Sequence, residues 1–141
     1  MIREYVVDTS VILKWVLGSR REPDQKKAIE LLNAWAAGSI AISAPLLWQY
    51  EVGNFLRREL PDEAFDKMAL LLGLNMRNVG LSENAYRLCF DWMRNKGITF
   101  YDAAYLAVAY EIKAVLVTAD ERFVRKIGKV DNLCLLKDVE P

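Results

Sequence analysis

The sequence predicts an α/β fold: a mainly parallel sheet of about five strands, covered by helices on both faces. Three observations predict it. Short apolar runs alternate with segments of helical period along the whole chain. The runs Tyr5-Val6-Val7, Ile40-Ala41-Ile42 and Val115-Leu116-Val117-Thr118 are continuously apolar up to their last residue, as strands buried on both faces are. Helix caps and stops fall between them, so the strands are joined through helices, with crossovers expected to be right-handed.

Residues 4–7 read as the first strand. Asp8, Thr9 or Ser10 can cap a helix reaching about Leu17. Gly18 to Pro23 reads as a turn with a basic pair, Arg20-Arg21. Asp24 then opens a helix through Ala37, which stops at Gly38. Ile40 to Ile42 forms the second strand, and Pro45 fits the first turn of a helix running to about Leu60. Pro61, followed by Asp62-Glu63, starts another helix to about Leu74. Arg77 to Leu81 reads as a third strand. Ser82-Glu83 opens a helix in which Ala85, Leu88, Cys89, Trp92 and Met93 keep helical spacing, closed by Gly97. Thr99-Phe100-Tyr101 leads into Asp102 and an alanine-rich helix through Ala109. Val115 to Thr118 and residues 133–136 complete the strands.

At 141 residues and 53 % apolar content, the chain suits one domain spanning 1–141, and disorder is excluded. Lysine plus arginine equals aspartate plus glutamate at 19 each, so nucleic acid can be bound only through a local patch. No apolar stretch reaches the length of a membrane span, and Met1-Ile2-Arg3-Glu4 does not begin a signal peptide, so a cytoplasmic protein without a membrane partner is expected. Cys89 and Cys134 read as free thiols in regular segments. Histidine is absent, which excludes imidazole acid–base catalysis, Ser-His-Asp and Cys-His triads and the usual zinc hydrolase sites. Oxygen ligands and a metal ion are the tools left for phosphate-ester chemistry.

Four acids supply such ligands. Asp8, Asp102 and Asp120 each follow an apolar run at the entry to a helix, and capping by itself explains any one of them. Glu51 has no capping role. Leu47, Glu51, Asn54 and Arg58 form one stripe of their helix, which either faces solvent with a Glu–Arg pair or points Glu51 and Asn54 into a cleft with Arg58 at its rim. Ligands bind beyond the carboxyl ends of strands in open parallel sheets, where the three corners and Glu51 can converge. Four carboxylates together are costly without a cation, and an all-oxygen set calls for Mg²⁺ or Mn²⁺.

The chain resembles the PIN-domain ribonucleases, particularly the VapC-type toxin of bacterial and archaeal VapBC toxin–antitoxin pairs. Val7-Asp8-Thr9-Ser10 is similar to the family's opening motif and Glu51-Val52-Gly53-Asn54 to its acidic helix. Tyr101-Asp102-Ala103-Ala104 and Thr118-Ala119-Asp120-Glu121-Arg122-Phe123 are similar to its later motifs. The resemblance implies a three-layer α/β/α sandwich with sheet order 3-2-1-4-5 and a metal-dependent endoribonuclease. It assigns metal binding and catalysis to Asp8, Glu51, Asp102 and Asp120, with Thr9 or Ser10, Asn54 and Thr118 in support. It also implies a homodimer and a small VapB-type antitoxin inserted into the active-site groove.

Among basic residues near the motifs (Lys14, Arg57, Arg58, Arg94 and Lys96), Lys14 and Arg58 are the candidate RNA contacts, against an ordinary surface role for each. Glu121 is either a water-mediated metal contact or a solvated first-turn acid. Trp15, Trp35, Trp48 and Trp92 are core candidates, with one or two available to a partner helix. Competing readings are a non-catalytic RNA- or protein-binding scaffold on the same fold, DNA cleavage, and transfer through an aspartyl-phosphate. The last is disfavoured because Asp8-Thr9-Ser10 lacks a second aspartate two residues on.

Overall fold

β1 (Arg3–Val7) carries Tyr5, Val6 and Val7 fully buried on successive positions, so both of its faces must be covered. In the computed structural model, which describes residues 2–18 and 22–141, β1 is the central strand. Met1 and the basic pair Arg20-Arg21 lie outside the described residues. β2 (Ile40–Ala44) and β4 (Val115–Thr118) flank β1, and β3 (Arg77–Asn78) and β5 (Leu133–Leu135) form the edges. The order is β3-β2-β1-β4-β5, as the family resemblance implies, with every pair parallel, as the apolar runs predict. Register places Tyr5 beside both Ile42 and Val115.

The α-helices are α1 (Thr9–Ile12), α2 (Gln25–Ala36), α3 (Leu47–Glu59), α4 (Ala64–Gly73), α5 (Glu83–Lys96), α6 (Phe100–Glu111) and α7 (Glu121–Ile127). They complete the three-layer α/β/α sandwich. Residues Ala103 to Ala109 of α6 are buried without interruption, and its alanines let it lie close to both α5 and the sheet. Trp48, Leu31, Leu56, Leu106 and Leu116 anchor the core. Trp48 also donates its indole N–H to Asn78 Oδ1 at 2.9 Å, tying α3 to β3.

Several predicted boundaries shift. α1 ends at Ile12 and tightens into a 3-10 turn over Leu13–Trp15 rather than reaching Leu17. The β-branched Val11, Ile12 and Val16 favour helix weakly, and Trp15 turns inward to donate to the Ala28 carbonyl at 2.9 Å. α3 starts at Leu47 because a tight turn intervenes, with Trp48 N–H donating to the Pro45 carbonyl at 3.1 Å. α4 likewise begins after a turn, at Ala64. β3 is cut to Arg77–Asn78 since its neighbour β2 ends at Ala44.

One correction bears on the site: no strand precedes Asp102. Gly97 closes α5 in the left-handed region (φ 65°), and Thr99 caps α6 by accepting the Asp102 N–H at 3.1 Å. Asp102 therefore sits in the first turn of α6, not at a strand-to-helix corner.

Cys89 is buried on α5 and Cys134 half-buried on β5, both free thiols. Trp15 packs on Trp35 (ring centroids 6.2 Å apart), and Trp92 on Tyr110 (5.3 Å), so all four tryptophans are engaged within the chain. No described helix is long and apolar enough to cross a membrane.

Candidate active site

β1 and β4 are neighbours in space, yet the chain leaves β1 toward β2 on one side and returns through β4 on the other. This is the topological switch point, where ligand sites form beyond the strand ends. Asp8 follows β1 directly, and Thr118 is the last residue of β4 with Asp120 just beyond. Both aspartates are N-caps: Asp8 Oδ1 accepts from Ser10 N–H and Asp120 Oδ1 from Phe123 N–H, each at 3.0 Å. Capping and site placement thus coincide in the same residues.

Two hydroxyls tie the strand ends together. Ser10 Oγ donates to Asp8 Oδ1 at 2.5 Å and accepts from Ala119 N–H at 2.9 Å. Thr118 Oγ1, fully buried, donates to Asp8 Oδ2 at 2.5 Å and accepts from Asp120 N–H at 3.1 Å. Both oxygens of Asp8 are therefore held. Burial nevertheless dominates and pushes the Asp8 carboxyl up to about 6, with the Asp102 carboxylate adding to the rise against the two hydroxyls.

Glu51 is fixed from a different direction. On α3 it accepts Thr9 Oγ1–H at 3.0 Å and the Tyr105 phenol at 2.6 Å, and Thr9 and Tyr105 are themselves 3.0 Å apart. Tyr105 lies buried on α6, and its pKa is raised, first by burial and next by its bond to Glu51, so it acts as a donor. This residue escaped the sequence reading because it sits in a run that looks like plain helix core. Its place one turn beyond Asp102 was the available signal. Asp102 also has a raised pKa, from burial first and then from the Asp120 carboxylate, with Glu51 contributing and Thr99 and Lys126 opposing.

The four predicted acids are thus electrostatic neighbours, and none forms an ion pair with a described residue. Their donor chemistry, carboxylate and hydroxyl oxygen only, suits a hard divalent cation. Among the described residues, however, no three acidic or thiol side chains stand close enough together to ligate one ion. Asp8 and Glu51 are each held by a separate hydroxyl network.

The stripe on α3 resolves in favour of the cleft. Leu47, Glu51, Asn54 and Arg58 line one groove of about 470 Å³, together with Thr9, Tyr50, Phe55 and Tyr101. Arg58 is exposed at its edge with its guanidinium 5.6 Å above the Phe55 ring. A larger hollow of about 600 Å³ lies by Val115, at the opposite end of β4, and contains none of the acids.

Two candidate residues stand elsewhere. Lys14 is buried and paired with Glu22 at 2.9 Å; it does not line the groove and is not a surface charge. Glu121 pairs with Lys137 at 3.0 Å, which lowers its pKa and turns it from the acids. Arg57, Arg94 and Lys96 are exposed.

The sequence profile of the PIN domain matches residues 5–129, a span that contains all four acids. The chain belongs to the PIN domain family. Solved structures give the same fold for this PIN domain at low sequence identity. A toxin–antitoxin complex from Klebsiella pneumoniae superposes with TM-score 0.70 at 15 % identity, over 96 % of this chain and 99 % of the other. VapC20 from Mycobacterium tuberculosis, described as a sarcin-ricin loop cleaving toxin, gives 0.66 at 17 %, over 90 % and 97 %. PAE2754 from Pyrobaculum aerophilum gives 0.64 at 21 %, over 97 % and 93 %. No curated protein matches the sequence.

Proposed function

We propose that this PIN domain is a metal-dependent endoribonuclease that hydrolyses RNA phosphodiesters as the toxin of a toxin–antitoxin pair. The observation that carries the reading is Asp8, a carboxyl fixed through both oxygens at the switch point, with acidic neighbours and, among the described residues, no basic partner. A cap needs only one of these oxygens, and a carboxylate buried among other acids is costly unless a cation neutralises it.

Asp8, Glu51, Asp102 and Asp120, which are not drawn into one ligand set without the ion, would hold Mg²⁺ or Mn²⁺ by closing on it. A divalent ion there supplies polarisation of a phosphoryl oxygen and activation of a water. Ser10 and Thr118 keep Asp8 in one orientation, and Tyr105 with Thr9 does the same for Glu51. Asn54 and Arg58 face the groove that adjoins Glu51, where RNA would lie. An RNA substrate and a small antitoxin partner draw support from the fold's likeness to the Mycobacterium tuberculosis toxin and the Klebsiella pneumoniae complex. A homodimer and a cytoplasmic location, where RNA is at hand, complete the proposal.

The test is cleavage of a structured RNA panel, transfer RNAs included, by wild type and Asp102→Asn with Mn²⁺ or Mg²⁺. Discrete cuts that vanish in the variant and in chelator are expected. Equal cutting by the variant would overturn the assignment. Metal binding without cutting would favour the non-catalytic scaffold.

A further inference from the structure

The groove beside Glu51 has a composition that catalysis alone does not require. Two exposed tyrosines border it, Tyr50 from α3 and Tyr101 from the first turn of α6 (69 % and 57 % exposed). Large aromatic rings left this open present apolar surface whose covering by a stacked partner is favourable. Its floor includes Leu47 and Phe55, and its polar groups are Asn54 and Arg58. Arg58 is held over the Phe55 ring and pairs loosely with the exposed Glu59 at 3.6 Å, which leaves its planar fork turned to solvent at the groove edge. At about 470 Å³ the hollow is within the size range of ligand sites. It is also continuous with the acids, because Glu51 and Thr9 line it and bind each other.

Resting on the ribonuclease reading, we propose that this groove is a subsite for one unpaired nucleotide adjoining the scissile phosphate. The base stacks on Tyr50 and Tyr101, Asn54 meets its polar edge, and Arg58 binds the neighbouring phosphate. Aromatic stacking accepts any base, and the small polar complement of the groove favours unpaired over duplex RNA. The chain has no net charge to hold RNA by a general field, so a local stacking site supplies what bulk electrostatics does not. The same apolar and basic surface would suit an inserted protein segment. The continuity with Glu51 and the two exposed tyrosines that line it favour the nucleotide.

The experiment uses the full chain and a fluorescent single-stranded oligoribonucleotide containing the mapped cleavage site. Binding is read by anisotropy in the Asp102→Asn background, and KM and kcat are read in the otherwise wild-type enzyme. Tyr101→Ala and Tyr50→Ala are expected to weaken binding about tenfold each, with KM rising more than kcat falls. Tyr101→Phe, which keeps the ring, should bind as the parent does. An oligonucleotide with an abasic residue beside the cleavage site should erase the difference between parent and Tyr101→Ala. Arg58→Ala should flatten the salt dependence of binding.

Both tyrosines lie on the surface, so circular dichroism is expected to show an intact fold in each variant. Cleavage and binding unchanged in all three alanine variants would overturn the subsite and leave the nuclease standing. A wild type that neither binds nor cuts any RNA would overturn both readings together.

Discussion

Replacing Asp8 by asparagine should stabilise the metal-free protein at neutral pH. The carboxyl titrates near 6 in the fold against an ordinary 3.8. Since the folded pKa is raised, the folded chain holds a proton between these values that the unfolded chain has released. Stability from this group is full below about pH 3.8, falls as pH rises through about 6, and stays low above it. At about 1.4 kcal/mol per pH unit the gap amounts to about 3 kcal/mol, an upper figure because Asp8 retains some solvent contact. Asparagine caps a helix as well as aspartate does, and its amide oxygen can still accept from Ser10, while its amide nitrogen cannot accept from Thr118, which offsets part of the gain. Urea denaturation of both proteins in chelator, from pH 5 to 8, measures the difference. The variant's advantage should grow by about 1.5 kcal/mol from pH 5 to pH 7.5, since about half of the full effect is already present at pH 5. Adding Mn²⁺ should stabilise wild type and narrow the gap. Parallel pH curves, or a variant less stable throughout, would refute the argument that Asp8 is held charged at a cost.

Tyr105→Phe removes the donor to Glu51 at 2.6 Å while keeping the buried ring; loss of one bond to a charged group, about 1.5–3 kcal/mol, should lower kcat about tenfold or more while the far-ultraviolet spectrum is unchanged. Thr118→Val, nearly isosteric, takes away the bond to Asp8 and strands the Asp120 N–H. Its thermal midpoint should drop, and the pH dependence of stability should shift upward as the Asp8 carboxyl loses an opposing hydrogen bond. Lys14→Met leaves Glu22 unpaired and should cost about 1–3 kcal/mol in urea titration, yet leave the KM for RNA at the wild-type value; a raised KM would return Lys14 to the substrate path.

Local sequence determined a good deal of this protein. Continuous apolar strands separated by caps and helical periods fix a parallel α/β sheet, because only a sheet covered on both faces can bury Tyr5, Val6 and Val7 in succession. Asp8 and Asp120 were legible as caps, and Leu47, Glu51, Asn54 and Arg58 as one stripe, since capping and periodicity are properties of a few neighbouring residues. The tertiary structure decided the rest. Periodicity gives the relative phase of a helix face and not its outward direction, so only packing turned Glu51 and Asn54 to the groove. Thr99 and Asp102 are both able to cap, and the left-handed turn at Gly97 selected Thr99. Lys14 reads as a surface cation until the fold brings Glu22 to it. Tyr105 reads as core until α6 lies against Glu51, 54 positions earlier in the chain. Thr118 meets Asp8 across 110 positions solely because β4 pairs with β1 in that register. Caps and periods depend on neighbours along the chain, whereas the orientation of the acids depends on contacts that exist only once the sheet has closed.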